Sequence, residues 1–117
     1  MIWNIDPNMI RSAMLNLLVN SVQAMPQGGT IQVKCWEEKN DGYLQVTDTG
    51  IGIKKELTEK IFSPFFTTRA EGTGFGLSEV YKIVQVHHGT IHVDSSEGLG
   101  STFTISIPIQ QGGKPWP

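Results

Sequence analysis

Three glycines at alternate positions, Gly72, Gly74 and Gly76, interrupt the chain just before Leu77 opens a run with helical spacing. Glycine at every second place keeps the backbone out of both helix and strand. The stretch Thr67-Thr68-Arg69-Ala70-Glu71-Gly72-Thr73-Gly74-Phe75-Gly76-Leu77 therefore has to be a loop that runs into a helix start. Such a junction offers unpaired backbone N–H groups and the positive end of a helix dipole, equipment suited to an anion and to phosphate above all. A merely flexible loop would have the same composition. The dinucleotide fingerprint is excluded, because no buried strand precedes the glycines. What decides between anion cradle and plain loop is the rest of the chain.

With 117 residues the chain is one domain, large enough to bury a single core. Its 38% hydrophobic content and thirteen glycines fit a globular α/β domain with several tight turns. A net charge of −2, with nine Lys and Arg scattered along the chain, gives no basic footprint for nucleic acid. The lone Cys35 cannot form an internal disulfide and makes no zinc pattern with His87, His88 and His92, so it reads as a core residue in a reducing cytosol. No run approaches the roughly 18 apolar residues of a membrane span, and no signal peptide is visible at the N-terminus.

Asp6-Pro7 is a helix start, and the run from Asn8 to Met25 has the spacing of a long amphipathic helix with Ile10, Met14, Leu17, Leu18, Ser21 and Met25 on its apolar face. Asn16, Asn20 and Gln23, at i, i+4 and i+7, place three amides on an adjacent stripe. Asparagine inside a helix competes for backbone hydrogen bonds, so this stripe is either a functional row or simply a solvated face.

Thr30 to Glu37 alternates as a strand, with Ile31, Val33 and Cys35 on one side, and Asn40-Asp41-Gly42 signals the turn of a hairpin. In the returning strand, Tyr43 to Asp48, a period of two puts Leu44, Val46 and Asp48 on the inward face. A carboxylate at the end of an apolar row is costly to desolvate without a partner, which makes Asp48 a candidate site residue. Capping of the turn Thr49-Gly50-Ile51-Gly52 is its alternative role. Lys54 to Phe62 has helical composition, stopped by Pro64. Leu77 to His88 predicts a second helix, with Leu77, Val80, Tyr81, Val84 and His88 apolar-facing and Gly89 as a left-handed cap. Strands at Thr90 to Ser95 and Ser101 to Pro108 follow, Ser101 sharing the inward parity of Phe103, Ile105 and Ile107. The tail from Gln110 to Pro117 is Gly/Pro-rich and predicted to be disordered. The economical architecture is a two-layer α/β sandwich: one mixed, mainly antiparallel sheet with helices packed on one face.

Taken together, these motifs resemble the ATP-binding catalytic domain of bacterial two-component sensor histidine kinases, in the superfamily that also holds gyrase and the mismatch-repair ATPases. Asn16-Leu17-Leu18-Val19-Asn20-Ser21 resembles the family's N box and Asp48-Thr49-Gly50-Ile51-Gly52-Ile53 its first glycine box. Ile61-Phe62-Ser63-Pro64-Phe65-Phe66-Thr67-Thr68 resembles the F box, Gly72-Thr73-Gly74-Phe75-Gly76-Leu77 the second glycine box, and Gly98-Leu99-Gly100-Ser101-Thr102-Phe103 the closing one. The likeness spans almost the whole chain, and its motifs come in the family's order.

The resemblance implies the Bergerat ATP-binding fold over residues 1–109, a mobile ATP lid at about 63–75 and a flexible tail at 110–117. It implies ATP and Mg²⁺ as ligands. Asn20 would hold the metal, with Asn16 beside it in the catalytic row. Asp48 would accept a hydrogen bond from the adenine amino group, with Ser101 in a water-linked contact, and Gly50, Gly52 and Ile53 would let the chain pass close to the base. Gln23, Thr68, Gly72, Thr73, Gly74, Phe75, Gly76 and Leu77 would meet the nucleotide's phosphates or the lid that covers them. The chain departs from its hydrolysing relatives at Asn16, where they carry a glutamate base. It departs from many histidine kinases at Gln23, where a Lys or Arg is usual, with Arg69 and Lys55 as substitutes. None of the three histidines has the setting of a phosphoacceptor. The implied partners are therefore a separate dimerisation and histidine phosphotransfer domain and a response regulator receiver domain, with no nucleic acid and no direct membrane contact. An ATP-hydrolysing clamp, a nucleotide-sensing module and a serine kinase acting on an anti-sigma partner are the alternatives.

Overall fold

The computed structural model describes residues 3–62 and 76–109. Helix α1 (Pro7–Gln23) is followed by strands β1 (Ile31–Glu38) and β2 (Asp41–Asp48), a single 3₁₀ turn (Lys55–Leu57), helix α2 (Gly76–Val86), and strands β3 (Thr90–Ser96) and β4 (Gly100–Pro108). The sheet order is β1-β2-β4-β3. Every pairing in it is antiparallel, so the expected mixed sheet is antiparallel throughout the described residues.

Both helices lie on one face. Central strand β4 supplies the floor of the core: Ser101, Phe103, Ile105 and Ile107 are all buried, the alternation that period two predicts. Val46 of β2, Ala13 and Leu17 of α1, and Val80, Ile83 and Val84 of α2 close over them. Asp6 caps α1 as expected, its Oδ1 accepting the N–H groups of Asn8 at 3.0 Å and Met9 at 3.2 Å. The helix ends at Gln23, two residues short of the predicted Met25, because Pro26 disfavours helical geometry at the residue before it.

Helix α1 runs along β2. At one end, the ring of Trp3 lies against Gly42, where a Cβ would come within 2.6 Å of it. At the other, Ile51 donates its N–H to the Ala24 carbonyl at 2.9 Å. The lengths agree: at about 1.5 Å per residue of helix and 3.3 Å per residue of strand, the 17 residues of α1 and the 8 of β2 each cover roughly 26 Å.

Several expectations are corrected. Cys35 is exposed, not in the core. Its parity is inward, opposite Leu44, but β1 is an edge strand and even Val33 is 51% exposed. The hairpin turns at Lys39 and Asn40, both with positive φ, which suits a two-residue turn matched to strand twist. Asp41 and Gly42 belong to β2, and Gly42 is required by Trp3 and not by the turn. Lys54 to Phe62 forms only the 3₁₀ turn, where the Thr58 hydroxyl bonds the Lys55 carbonyl at 2.8 Å and no side chain caps the start. In α2 the buried face is rotated towards Val80, Ile83, Val84 and His87, leaving Tyr81 40% exposed and His88 exposed. The left-handed residue after α2 is His88, with φ of 60°, whereas Gly89 is needed because a Cβ there would strike the Ser106 carbonyl. The expected lid and tail lie outside the described residues, as do Thr68, Arg69, Gly72, Thr73, Gly74 and Phe75.

Candidate functional site

Three polar side chains stand side by side at one end of the covered face. Asp48 pairs in register with Ser101, and Ser101 with Ser95, so β2, β4 and β3 each contribute one. Asp48 is 2% exposed and Ser101 5%. Their burial follows from position: each continues an apolar row (Leu44, Val46; Phe103, Ile105; Ile91, Val93) into a place where the next inward residue is polar.

The protons in this row can be assigned. The Ser95 hydroxyl donates to the Gly100 carbonyl at 3.0 Å and accepts the Ile53 N–H at 2.8 Å. Since a hydroxyl has one proton, the 2.7 Å contact between Ser95 Oγ and Ser101 Oγ has Ser101 as donor. Ser101 therefore meets anything beyond it as an acceptor. Asp48 Oδ1 accepts the Gly50 N–H at 2.9 Å, while Oδ2 is buried with no partner among the described residues. A buried carboxylate oxygen left with open lone pairs is costly unless a donor arrives.

The loop after β2 is fitted around this carboxylate. A Cβ on Gly50 would strike the Ala24 carbonyl, and one on Gly52, whose φ is +73°, the Ser96 carbonyl. Gly100, with φ of +96°, passes against the Asp48 carbonyl in the same way. Gly98 donates its N–H to the Ile51 carbonyl at 2.7 Å. The first glycine segment is thus sewn to the end of α1 on one side and to the β3–β4 turn on the other. Glycine is used here for close approach of backbone to backbone.

Of the α1 amides, Asn16 and Asn20 are half-buried and Gln23 is exposed. Asn20 stands one helical turn before Ala24, whose carbonyl holds the Asp48 loop, so it belongs to the same end of the molecule. Gly76 and Leu77 form the first turn of α2, which packs against α1, and a side chain at Gly76 would meet nothing within 4 Å among the described residues. Lys55 lines a cleft of about 490 Å³ with Asp94 and Glu97, and no α1 residue contributes to that cleft. It lies on the β3 side and not beside the α1 amides.

Asp48, Gly50, Gly52, Ile53 and Ser101 come together as the sequence predicts. Ser95 and the Ala24 carbonyl were missed. Ser95 could have been found from parity, since it ends β3 as Asp48 ends β2; a backbone carbonyl carries no sequence signal. Among the described residues no group of three or more His, Cys, Asp or Glu could hold a metal ion. A cation at the Asn20 amide would have to take most of its ligands from elsewhere, a donor set that suits Mg²⁺ on a nucleotide's phosphates and water.

The chain and its fold are similar to those of known proteins. The family model described as histidine kinase-, DNA gyrase B-, and HSP90-like ATPase matches residues 5–111. The sensor histidine kinase ZraS of Escherichia coli (strain K12) is 47% identical over 104 residues, covering 89% of this chain and 22% of ZraS. Sporulation kinase A of Bacillus subtilis (strain 168) is 39% identical over 105 residues, covering 90% of this chain and 17% of that protein. The chain thus spans about a fifth of the length of these relatives. Among solved structures, the nucleotide-free catalytic domain of histidine kinase ThkA superposes with a TM-score of 0.80 at 37% identity, covering 90% of this chain and 69% of that one. The mycobacterial sensor histidine kinase MprB gives a TM-score of 0.81 at 29% identity, covering 91% and 75% of the two chains. The protein described here belongs to the histidine kinase-, DNA gyrase B- and HSP90-like ATPase family.

Proposed function

We propose that this domain binds Mg·ATP and donates the γ-phosphoryl group to a histidine on a separate dimerisation and phosphoacceptor domain, from which a response regulator receives it. The observation that carries the reading is the buried Asp48 carboxylate, whose Oδ2 has no donor among the described residues although Oδ1 is satisfied by the loop. The adenine 6-amino group is a donor of the right kind. Guanine presents a carbonyl there and would set two acceptors against each other.

The supporting chemistry is that of positioning and charge stabilisation, which phosphoryl transfer chiefly needs. Mg²⁺ would neutralise charge on the phosphates; Asn20 would ligate it through the amide oxygen, and the remaining ligands would be phosphate oxygens and water. Gly50 and Gly52 let the backbone pass beside the base, Ile53 would pack on it, and the α2 start would turn N–H groups towards the phosphates. Thr68, Gly72, Thr73, Gly74 and Phe75 complete the proposed lid from 63–75. An amide at Asn16 cannot take a proton from water, which favours transfer over hydrolysis. Among the described residues no helix is long and apolar enough to cross a membrane, and we place the domain in the cytoplasm, where ATP is available.

Calorimetric titration tests the base assignment. Mg·ATP should bind and GTP should compete poorly; equal competition by GTP would remove the assignment of Asp48 to adenine.

A further inference from the structure

The four-stranded sheet ends on β1 at one side and on β3 at the other, and among the described residues β3 pairs with β4 alone. A free edge presents a row of backbone N–H and C=O groups to which another strand can add. Strand β1 carries Lys34 near its middle, a residue type that commonly guards an edge. Strand β3, Thr-Ile-His-Val-Asp-Ser-Ser, has no lysine, and its exposure alternates along all seven residues. Ile91, Val93 and Ser95 are half-buried on the helix side, while His92 and Asp94 are exposed on the open face. Their neighbours on β4, Thr104 and Thr102, carry no charge. Along their own strand the two stand about 6.6 Å apart, farther than directly opposed residues of paired strands. The cleft of about 490 Å³ beside Val93, Asp94, Ser95 and Ser96, which Lys54 and Lys55 also line, keeps the second half of this edge open.

We propose that β3 is a docking edge for a second copy of this chain, which adds its own β3 antiparallel across a two-fold axis at Val93. The strand is self-complementary about that residue. The axis sets Thr90 opposite the partner's Ser96, Ile91 opposite the partner's Ser95, His92 opposite the partner's Asp94, and Val93 opposite the partner's Val93. All seven residues are then paired. The His92 imidazole donates an N–H to the partner's Asp94 carboxylate, and the axis makes this contact twice. Side chains directly opposite on one face stand about 5 Å apart, within reach of that hydrogen bond. An axis at His92 or at Asp94 would set each group against its own kind and leave residues unpaired, so charge fixes the register. The axis runs perpendicular to the sheet, which keeps both helical layers on one face and joins two four-stranded sheets into one. The contact is small and therefore weak between free molecules. A dimeric phosphoacceptor domain of the kind proposed above would hold two copies at an effective concentration of about 1 mM, where a weak contact is populated. The pairing itself does not depend on that reading.

Sedimentation equilibrium of the 117-residue chain at concentrations up to about 1 mM tests this by charge exchange. The wild type should form a dimer. His92→Glu sets a carboxylate against the partner's Asp94, and Asp94→Lys sets an ammonium group against the partner's His92, so each variant alone should dimerise about 10-fold more weakly or worse, because both contacts of the dimer are lost. An equimolar mixture of the two variants opposes unlike charges at both contacts and should form a heterodimer of about wild-type affinity. The double variant, with the charges exchanged on one chain, should recover the homodimer. A wild type still monomeric at about 1 mM, a dimer indifferent to both substitutions, or a mixture and a double variant no tighter than the single ones would overturn the inference. None of these results touches the ATP reading, which nucleotide titration tests separately.

Discussion

His87 joins the end of α2 to the start of α1: its Nε2 accepts the backbone N–H of Asp6 at 3.0 Å, and its Nδ1 meets the Ile83 carbonyl at 2.8 Å. An acceptor at Nε2 places the proton on Nδ1, so the ring is the neutral Nδ1–H tautomer with both nitrogens used. Asp6 in turn caps α1. The sequence offered His87 only as a helix-end histidine without a phosphoacceptor's setting; its place here is structural.

Replacing His87 with Ala should therefore cost about 2–4 kcal/mol, from the cavity and the orphaned Asp6 N–H together. Urea denaturation reads this directly, and a loss under about 0.5 kcal/mol would show that the interhelix link does not matter. Nucleotide affinity of the folded fraction should change little, because the Asp48 site lies at the other end of α1.

Two glycines in the β3–β4 turn differ in a way that substitution can expose. Gly98 and Gly100 both have positive φ, +83° and +96°, but a Cβ at Gly98 meets nothing within 4 Å, whereas one at Gly100 strikes the Asp48 carbonyl. Gly98→Ala should cost about 1 kcal/mol of stability, the backbone term alone. Gly100→Ala should cost more than that and also weaken ATP, since it displaces the backbone of Asp48. Equal effects on stability and binding would contradict the close approach.

Asp48→Asn should weaken ATP by about 1.5–3 kcal/mol, because the swap loses a charge-assisted acceptor and can set an amide donor against the adenine amine. Calorimetry giving an unchanged affinity would remove Asp48 from the base site.

The reach of the sequence can be seen in this same row. Asp48 and Ser101 were legible because a period of two needs only the strand itself, and the chain's own alternation puts both on the inward face. Cys35 obeys the same alternation and is exposed, because coverage depends on where the helices lie, and that is a property of the layers. The Lys54 to Phe62 segment has helical residues, but side-chain competition for its carbonyls and the lack of a cap limit it to one 3₁₀ turn. Ser21 looked like any small residue on an apolar stripe; that its hydroxyl is buried without a hydrogen-bond partner among the described residues shows only in the structure.

Asn20→Ala should abolish the Mg²⁺-dependent part of ATP affinity and leave metal-free adenosine binding nearly unchanged, since the base and phosphate ends of the ligand are distinct. Titrations with and without Mg²⁺ would show it. Loss of neither would reduce Asn20 to a polar surface residue, and circular dichroism distinguishes loss of both through a disrupted helix.

The most direct test of the kinase reading follows labelled γ-phosphate from ATP. Alone, the 117-residue chain should neither label itself nor hydrolyse ATP beyond a trace rate, for want of both an acceptor histidine and a base at Asn16. Adding the dimeric phosphoacceptor hairpin in trans should yield an acid-labile, base-stable phosphoprotein. Rapid hydrolysis by the chain alone, abolished by Asn20→Ala, with no transfer to the hairpin, would contradict the account and make the domain an ATP-hydrolysing clamp.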